Sequence, residues 1–304
     1  MAGRHSKSFF DFRKNTHTTP LNNNKTGVDT ILLPYKIIIF VIVVSLFLSS
    51  FLIGRFFLQS HSNKKLLNNS KDIFWSLDSQ EGLKTLSVKN KDIKGWIKIE
   101  GTGIDYAVCQ SKDNKFYINH NQLGKKSRYG SLFLSCDDSF ERNDNDKNIM
   151  ILGNNMKDGT MFGALKKYRN LNFYKENPCV EIYYGDQAET YAVFAVMLLS
   201  ATDSDGDNYI PTKSHFSNAD VFSTWYNETK SRSLIDTTVD AKFGDDFLTL
   251  VTTADDFDGA RLVVICKKVT EWDASHLDVS NAVTNSKIKY PKIWYTSRGL
   301  EYPY

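Results

Sequence analysis

Two regimes of hydrophobic patterning divide the chain. From Ile37 to Gly54 the sequence IIIFVIVVSLFLSSFLIG is uncharged and apolar on every side, with serines as its only polar members. A helix of that length just crosses a bilayer. A buried core helix would instead keep polar residues on one face, and none are present. From Gly95 onward the apolar positions come in short runs separated by turn residues: GWIKI, IDYAV, SLFL, NIMIL, CVEIYY, TYAVFAVMLL, FLTLVT and RLVVICKK. Many short strands at close spacing predict a sandwich or a barrel.

Helical signals interrupt this pattern. Between Lys71 and Lys89, the residues Ile73, Phe74, Leu77, Leu83 and Leu86 fall at roughly helical spacing, which predicts one or two short helices. MFGALKKY at 161–168 and SNADVFSTWYNETK near 217–230 read as helical insertions, the second with Ser217 or Asn218 placed to act as its N-cap. The expected organisation is a disordered cytoplasmic tail over 1–36, a membrane anchor over 37–54, a polar stalk over 55–70, a folded domain over 71–269 and an extension over 270–304. That extension holds Trp272, Tyr290, Trp294, Tyr295, Tyr302 and Tyr304 among polar residues. So many aromatics are expected either to pack back on the domain or to dock to a partner.

Charge orients the anchor and narrows the function. Arg4, Lys7, Arg13, Lys14, Lys25 and Lys36 precede the apolar run, and Arg55, Lys64 and Lys65 follow it. The cationic excess on the amino-terminal side predicts a cytoplasmic amino terminus and an extracellular domain. The run starts late and ends in Gly-Arg-Phe-Phe without a small-residue cleavage site, so an uncleaved single-pass anchor is expected. Over 304 residues the net charge is only +3, and much of the basic excess lies before residue 37. No large positive field is left on the domain, and nucleic acid is not an expected partner.

Candidate chemistry is sparse. Cys109, Cys136, Cys179 and Cys266 lie far apart with no paired short spacing, so buried free thiols are expected rather than a metal knuckle or redox pair. The run Asp203-Ser204-Asp205-Gly206-Asp207 spaces carboxylates like the start of a calcium loop. Its glycine comes fourth rather than sixth, and Ser214 stands where the loop needs a glutamate, so a solvated turn is expected and no metal. Met156 and Met161 read as core packing. No cofactor is called for.

Four ordered blocks resemble class B sortases, the transpeptidases that attach proteins to the Gram-positive cell wall. They are NKDIKGWIKIEGTGIDYAVCQSKDNKFYINH (90–120), GKKSRYGSLFL (124–134), NIMILGNNMKDGTMFGALKKY (148–168) and LTLVTTADDFDGARLVV (248–264). The resemblance implies a mainly β fold: a closed barrel of about eight strands, with N-terminal helices and a helix in the long loop before the penultimate strands. It also implies a cysteine thiolate that attacks a sorting signal, a histidine that serves the leaving group and an arginine that helps hold substrate. On this chain the family histidine falls on Asn154, the cysteine on Thr253 and the arginine on Arg261.

An asparagine exchanges no proton near neutral pH, and a threonine hydroxyl without a base is a far weaker nucleophile than a thiolate. The expectation is therefore a pseudo-sortase that binds through Asn154, Thr253 and Arg261 without transpeptidation. Its expected partners are a sorting-signal peptide or surface protein, or an active sortase. The bland readings are ordinary hydrogen bonds for Asn154, a strand-end role for Thr253, and an ion pair from Arg261 to Asp255, Asp256 or Asp258. The rival reading keeps an active transpeptidase with Cys136 as relocated nucleophile, although no histidine is placed by sequence to activate it. His120 reads as a packing residue.

Overall fold

A computed structural model describes residues 26–142, 147–201 and 209–304. Most of the tail and the acidic run at 203–207 lie outside the described residues. The chain divides into two compact units, residues 1–58 and 59–304.

The first helix, α1, runs from Thr26 to Trp75. Residues 26–36, expected as the end of a disordered tail, are helical. Apolar side chains from Ile37 to Leu58 are exposed all round the helix. The helix is long and apolar enough to cross a membrane, with a mean hydropathy of 2.9 over its most apolar window.

Residues 55–70, expected as a polar stalk, are also helical. Asn63, Leu67, Ser70 and Phe74 are all buried within the second unit. Their spacing of four, three and four residues is that of one helix face. Two of the four are polar, which is why the face is faint in the sequence. A second helix, α2 (Ser79–Lys89), follows, capped by Asp78, whose carboxylate accepts from the Glu81 amide at 2.9 Å.

All eight apolar runs become barrel strands. These are β1 (Ile93–Ile99), β2 (Ile104–Cys109), β3 (Leu132–Leu134), β4 (Asn148–Leu152), β5 (Cys179–Tyr184), β6 (Gln187–Ser200), β8 (Phe247–Thr253) and β9 (Ala260–Val269), with a two-residue strand β7 (Ile235–Asp236) outside the barrel. They close in the order β1-β2-β3-β4-β8-β9-β6-β5. The pairs β2/β3 and β4/β8 are parallel and the rest antiparallel. Closure leaves no barrel strand with an unpaired edge.

Alternation along β8 and β9 sorts the side chains. Leu248, Leu250, Leu262 and Val264 fill the interior with Ile97, Val108 and Ile151. Val263 and Ile265 face outward and join Phe194 and Met197 beneath α4 (Ala219–Arg232). Asn218 caps that helix, its side chain accepting from the Val221 amide at 2.9 Å, and Phe222 and Trp225 are the helix's apolar contribution. Between β4 and β5 lie a 3-10 helix, Phe162–Arg169, and α3 (Leu171–Glu176).

The extension returns to the domain through its backbone and Tyr290, while Trp272 and Tyr304 stay exposed. It contains α5 (Glu271–Ser275), β10 (Val283–Thr284) paired with β7, and α6 (Lys292–Thr296). The Asn285 and Lys289 amides donate to the carbonyls of Leu234 and Ser231 at 3.0 and 2.9 Å. Ile288 and Tyr290 rest against the barrel core, and Met156 and Met161 pack there too.

Candidate functional site

The three positions singled out by the sequence meet at one end of the barrel. Parallel strands β4 and β8 pair Leu152 with Val251, and the Gly153 amide donates to the Val251 carbonyl at 3.1 Å. Asn154 and Thr253 each follow two residues beyond that pair, at the ends of adjacent strands. On the other side of β8, Thr253 is the direct cross-strand partner of Arg261 on β9.

Asn154 is fixed as a donor. Its Nδ2 reaches the carbonyls of Ile118 at 2.8 Å and Tyr129 at 3.1 Å. Gly130 makes room for this contact: with φ at +65°, a Cβ there would sit 2.6 Å from the Ile118 carbonyl oxygen and 2.8 Å from Asn154 Nδ2. Thr253 is exposed. Arg261 turns its Nη1 to the carbonyls of Ala260 at 3.0 Å and Gly259 at 3.3 Å. It forms no ion pair among the described residues. Asp256 is taken instead by a bidentate bridge from Arg169, at 2.7 and 3.1 Å.

Beside Thr253 is a cavity of about 190 Å³. Phe162, Lys166 and Arg169 of the 3-10 helix form one wall, and Ala254, Asp255 and Asp256 of the β8–β9 loop form another. Thr252, Thr253 and Leu262 line it from the strands, and Asn155 from the segment after β4. Sequence reasoning passed over Lys166, Arg169 and Thr252. The basic cluster Lys166-Lys167-x-Arg169 was the available signal for the first two.

Among the described residues no imidazole approaches a thiol at this end. His120 stacks on Phe116 with centroids 4.0 Å apart, and its Nδ1 lies 2.7 Å from the Phe116 carbonyl, a packing arrangement. Cys136 lines a different cavity, of about 500 Å³, with Asp92, Lys94, Lys112, Asp113 and Phe116. Burial and then the Asp137 carboxylate push its thiol above the ordinary value, the opposite of what a nucleophile needs. All four cysteines are free. Burial raises the Cys109 and Cys266 thiols far up and Cys179 to about 11. Among the described residues no group of three His, Cys, Asp or Glu is placed to hold a metal ion.

No family model matches the chain. Sortase B of Listeria monocytogenes serovar 1/2a is 32% identical over 244 residues, which span 76% of this chain and 95% of the relative. Sortase B of Staphylococcus aureus is 33% identical over 181 residues, 59% of this chain and 70% of the relative. Among solved structures, Clostridium perfringens sortase B is 36% identical with a TM-score of 0.56, over 62% of this chain and 99% of its own. A Staphylococcus aureus sortase B–substrate complex is 26% identical with a TM-score of 0.63, over 70% of this chain and 99% of its own.

Proposed function

The chain belongs to the sortase B family, and from that premise we propose that it is a membrane-anchored pseudo-sortase, which binds a sorting-signal peptide or the surface protein bearing it without transferring it. The observation that carries this reading is the pair at the ends of β4 and β8. Asn154 holds an amide donor where the resemblance calls for a proton carrier, and Thr253 holds a hydroxyl where it calls for a thiol. When a nucleophile and its base work as a unit, losing either costs on the order of a millionfold in turnover. Binding does not need that chemistry.

Arg261 supports the binding half. Among the described residues its guanidinium is tied only to neutral carbonyls, so its positive charge is not cancelled there and stays available to a peptide carbonyl or carboxylate. The charge pattern around Ile37–Gly54 supports an anchor with a cytoplasmic amino terminus and an extracellular barrel. The active-enzyme alternative centred on Cys136 has no supporting observation: its thiol is shifted upward and lies in another cavity.

The test uses the full chain in lipid nanodiscs with fluorescein-labelled sorting-signal peptides, followed by anisotropy and by mass spectrometry of the mixture. Saturable binding with no cleavage and no covalent adduct is expected, and Arg261→Ala should weaken binding by about tenfold or more. Cleavage or a thioester adduct rejects the inert reading, and absence of binding across the peptide panel rejects the binding role.

A further inference from the structure

Residues 270–304 lead from the end of β9 back to the loop between Thr253 and Arg261. Strand β9 runs away from Arg261 and ends at Val269. The chain then returns through Ala282, which is fully buried, through β10 against β7, and past the Lys289–Glu228 ion pair at 2.9 Å. It reaches the β8–β9 loop at Arg298, whose Nη2 donates to the Asp256 carbonyl at 3.5 Å. A contact of that length is weak alone, so its weight depends on how firmly Arg298 itself is held.

Three planar groups hold it. Tyr290 is half-buried and packs on the barrel core. Trp294 stacks on Tyr290 with centroids 4.1 Å apart and planes 6° from parallel. The Arg298 guanidinium lies 4.3 Å from the Trp294 ring centroid, and its Nη1 donates to the Trp294 carbonyl at 3.0 Å. Burial pushes the Tyr290 hydroxyl above its ordinary value, and the charges of Arg169 and Asp256 act on it next. The base of the stack therefore stands beside the bridge that those two residues form. Asp256 is held twice, by its carboxylate from the 3-10 helix and by its carbonyl from the extension.

Within the loop, the Ala254 amide donates to the Ala260 carbonyl at 3.0 Å and the Ala260 amide to the Phe257 carbonyl at 3.1 Å. Arg261 takes its orientation from the same loop, through the Gly259 and Ala260 carbonyls. A loop that shifts carries the guanidinium with it. Among the described residues, those lining the cavity beside Thr253 include none from the extension, so the extension braces the loop from outside the cavity. We infer that residues 270–304 form a strap in which Trp294 and Arg298 are positioning residues: stacked on Tyr290, they hold the β8–β9 loop, and with it Arg261, in the geometry that receives a peptide. The link to peptide rests on the binding role proposed for Arg261, and the bracing of the loop does not.

Amide hydrogen exchange over residues 254–260, in the full chain in nanodiscs, reads the brace without any ligand. Arg298→Ala and Trp294→Ala should each speed that exchange about two- to fivefold, the size of one exposed cation–π contact or hydrogen bond. Exchange in β1 and β5 should stay at the wild-type rate. Arg298 is exposed, so its removal does not threaten folding. Trp294→Phe keeps a ring between Tyr290 and Arg298 and should restore nearly wild-type exchange. Anisotropy with the labelled sorting-signal peptides should show both alanine variants binding about two- to fivefold more weakly, with Trp294→Phe close to wild type. Unchanged loop exchange in both alanine variants, or a rise shared equally by the barrel strands, overturns the strap. Faster loop exchange with undiminished peptide affinity overturns its link to Arg261. If no peptide binds even the wild-type chain, the binding role fails by itself, and the exchange rates still decide the strap.

Discussion

Thr253 and Arg261 stand opposite each other on neighbouring antiparallel strands, and Asn154 follows the end of β4 on the other side of β8. In this arrangement a thiol at 253 would lie between an imidazole at 154 and the guanidinium of 261. Replacing Asn154 by His and Thr253 by Cys together is therefore expected to give cleavage of a fluorogenic sorting-signal peptide. Each single variant should stay inert, since nucleophile and proton carrier act as a unit. If the double variant binds peptide but does not cut it, the end of the barrel no longer presents the scissile bond to position 253.

Thr252 makes a prediction about stability. Its buried hydroxyl has no partner, so Thr252→Val exchanges an unsatisfied polar group for a methyl of the same shape. The gain is expected to be about 1 kcal/mol. For a domain of this size that raises the melting temperature by about 2–4 °C. Calorimetry showing a fall instead means that the hydroxyl is satisfied in solution.

The β framework was legible because each strand is a compact apolar run bounded by turn residues, and all eight runs became barrel strands. The end of α1 was not. Asn63 and Ser70 are polar residues buried on a helix face, so local polarity argued for a stalk while tertiary contact with the barrel made a helix. At the candidate site, Asn154, Thr253 and Arg261 were visible through the resemblance. The bland alternative for Arg261, an ion pair with Asp255, Asp256 or Asp258, rests on chain proximity, and the side chain turns to the Gly259 and Ala260 carbonyls instead. Arg169, 87 positions away in sequence, reaches Asp256 first. Such long-range pairings leave no local trace.

Asp105 should be a stability hot spot where α1 meets the barrel. Its carboxylate accepts from Trp96 Nε1 at 2.6 Å and Trp75 Nε1 at 3.1 Å, and pairs with Lys71 Nζ at 2.8 Å. It thereby ties the end of α1 to β1 and β2. Asp105→Ala leaves the fully buried Trp96 indole without an acceptor. A loss of about 2–4 kcal/mol is expected in urea unfolding. A change below about 0.5 kcal/mol, the size of an ordinary surface substitution, would refute this role.

Acid stability should depend on Glu189. Burial acts to raise its carboxyl pKa, but Lys268, Tyr191 and Tyr184 all donate to it and together hold it below the ordinary value of 4.5. A carboxylate depressed in the folded state contributes stability that is fully present above its unfolded value and is lost as pH falls through the folded one. Unfolding free energy should therefore drop as the solution is acidified below about pH 4.5. Glu189→Gln should be less stable at neutral pH but show a shallower acid slope. An unchanged slope in the variant would assign the acid transition to other carboxylates.

The thiols supply the test of the rival nucleophile. Only a thiolate attacks, and all four cysteines have their thiols shifted upward. For Cys136 the causes are burial and then the neighbouring Asp137 carboxylate, which repels a second negative charge. Labelling of the folded chain by iodoacetamide at neutral pH should accordingly be slow at Cys136 and Cys179 and absent at the buried Cys109 and Cys266. The Cys136 rate should climb as pH is raised past the ordinary thiol value, and Asp137→Asn should move that rise to lower pH. Cys136→Ser should leave sorting-signal binding unchanged. Rapid neutral-pH labelling of Cys136 that a bound sorting-signal peptide blocks would reverse this account, because it would mark an activated thiol in contact with substrate.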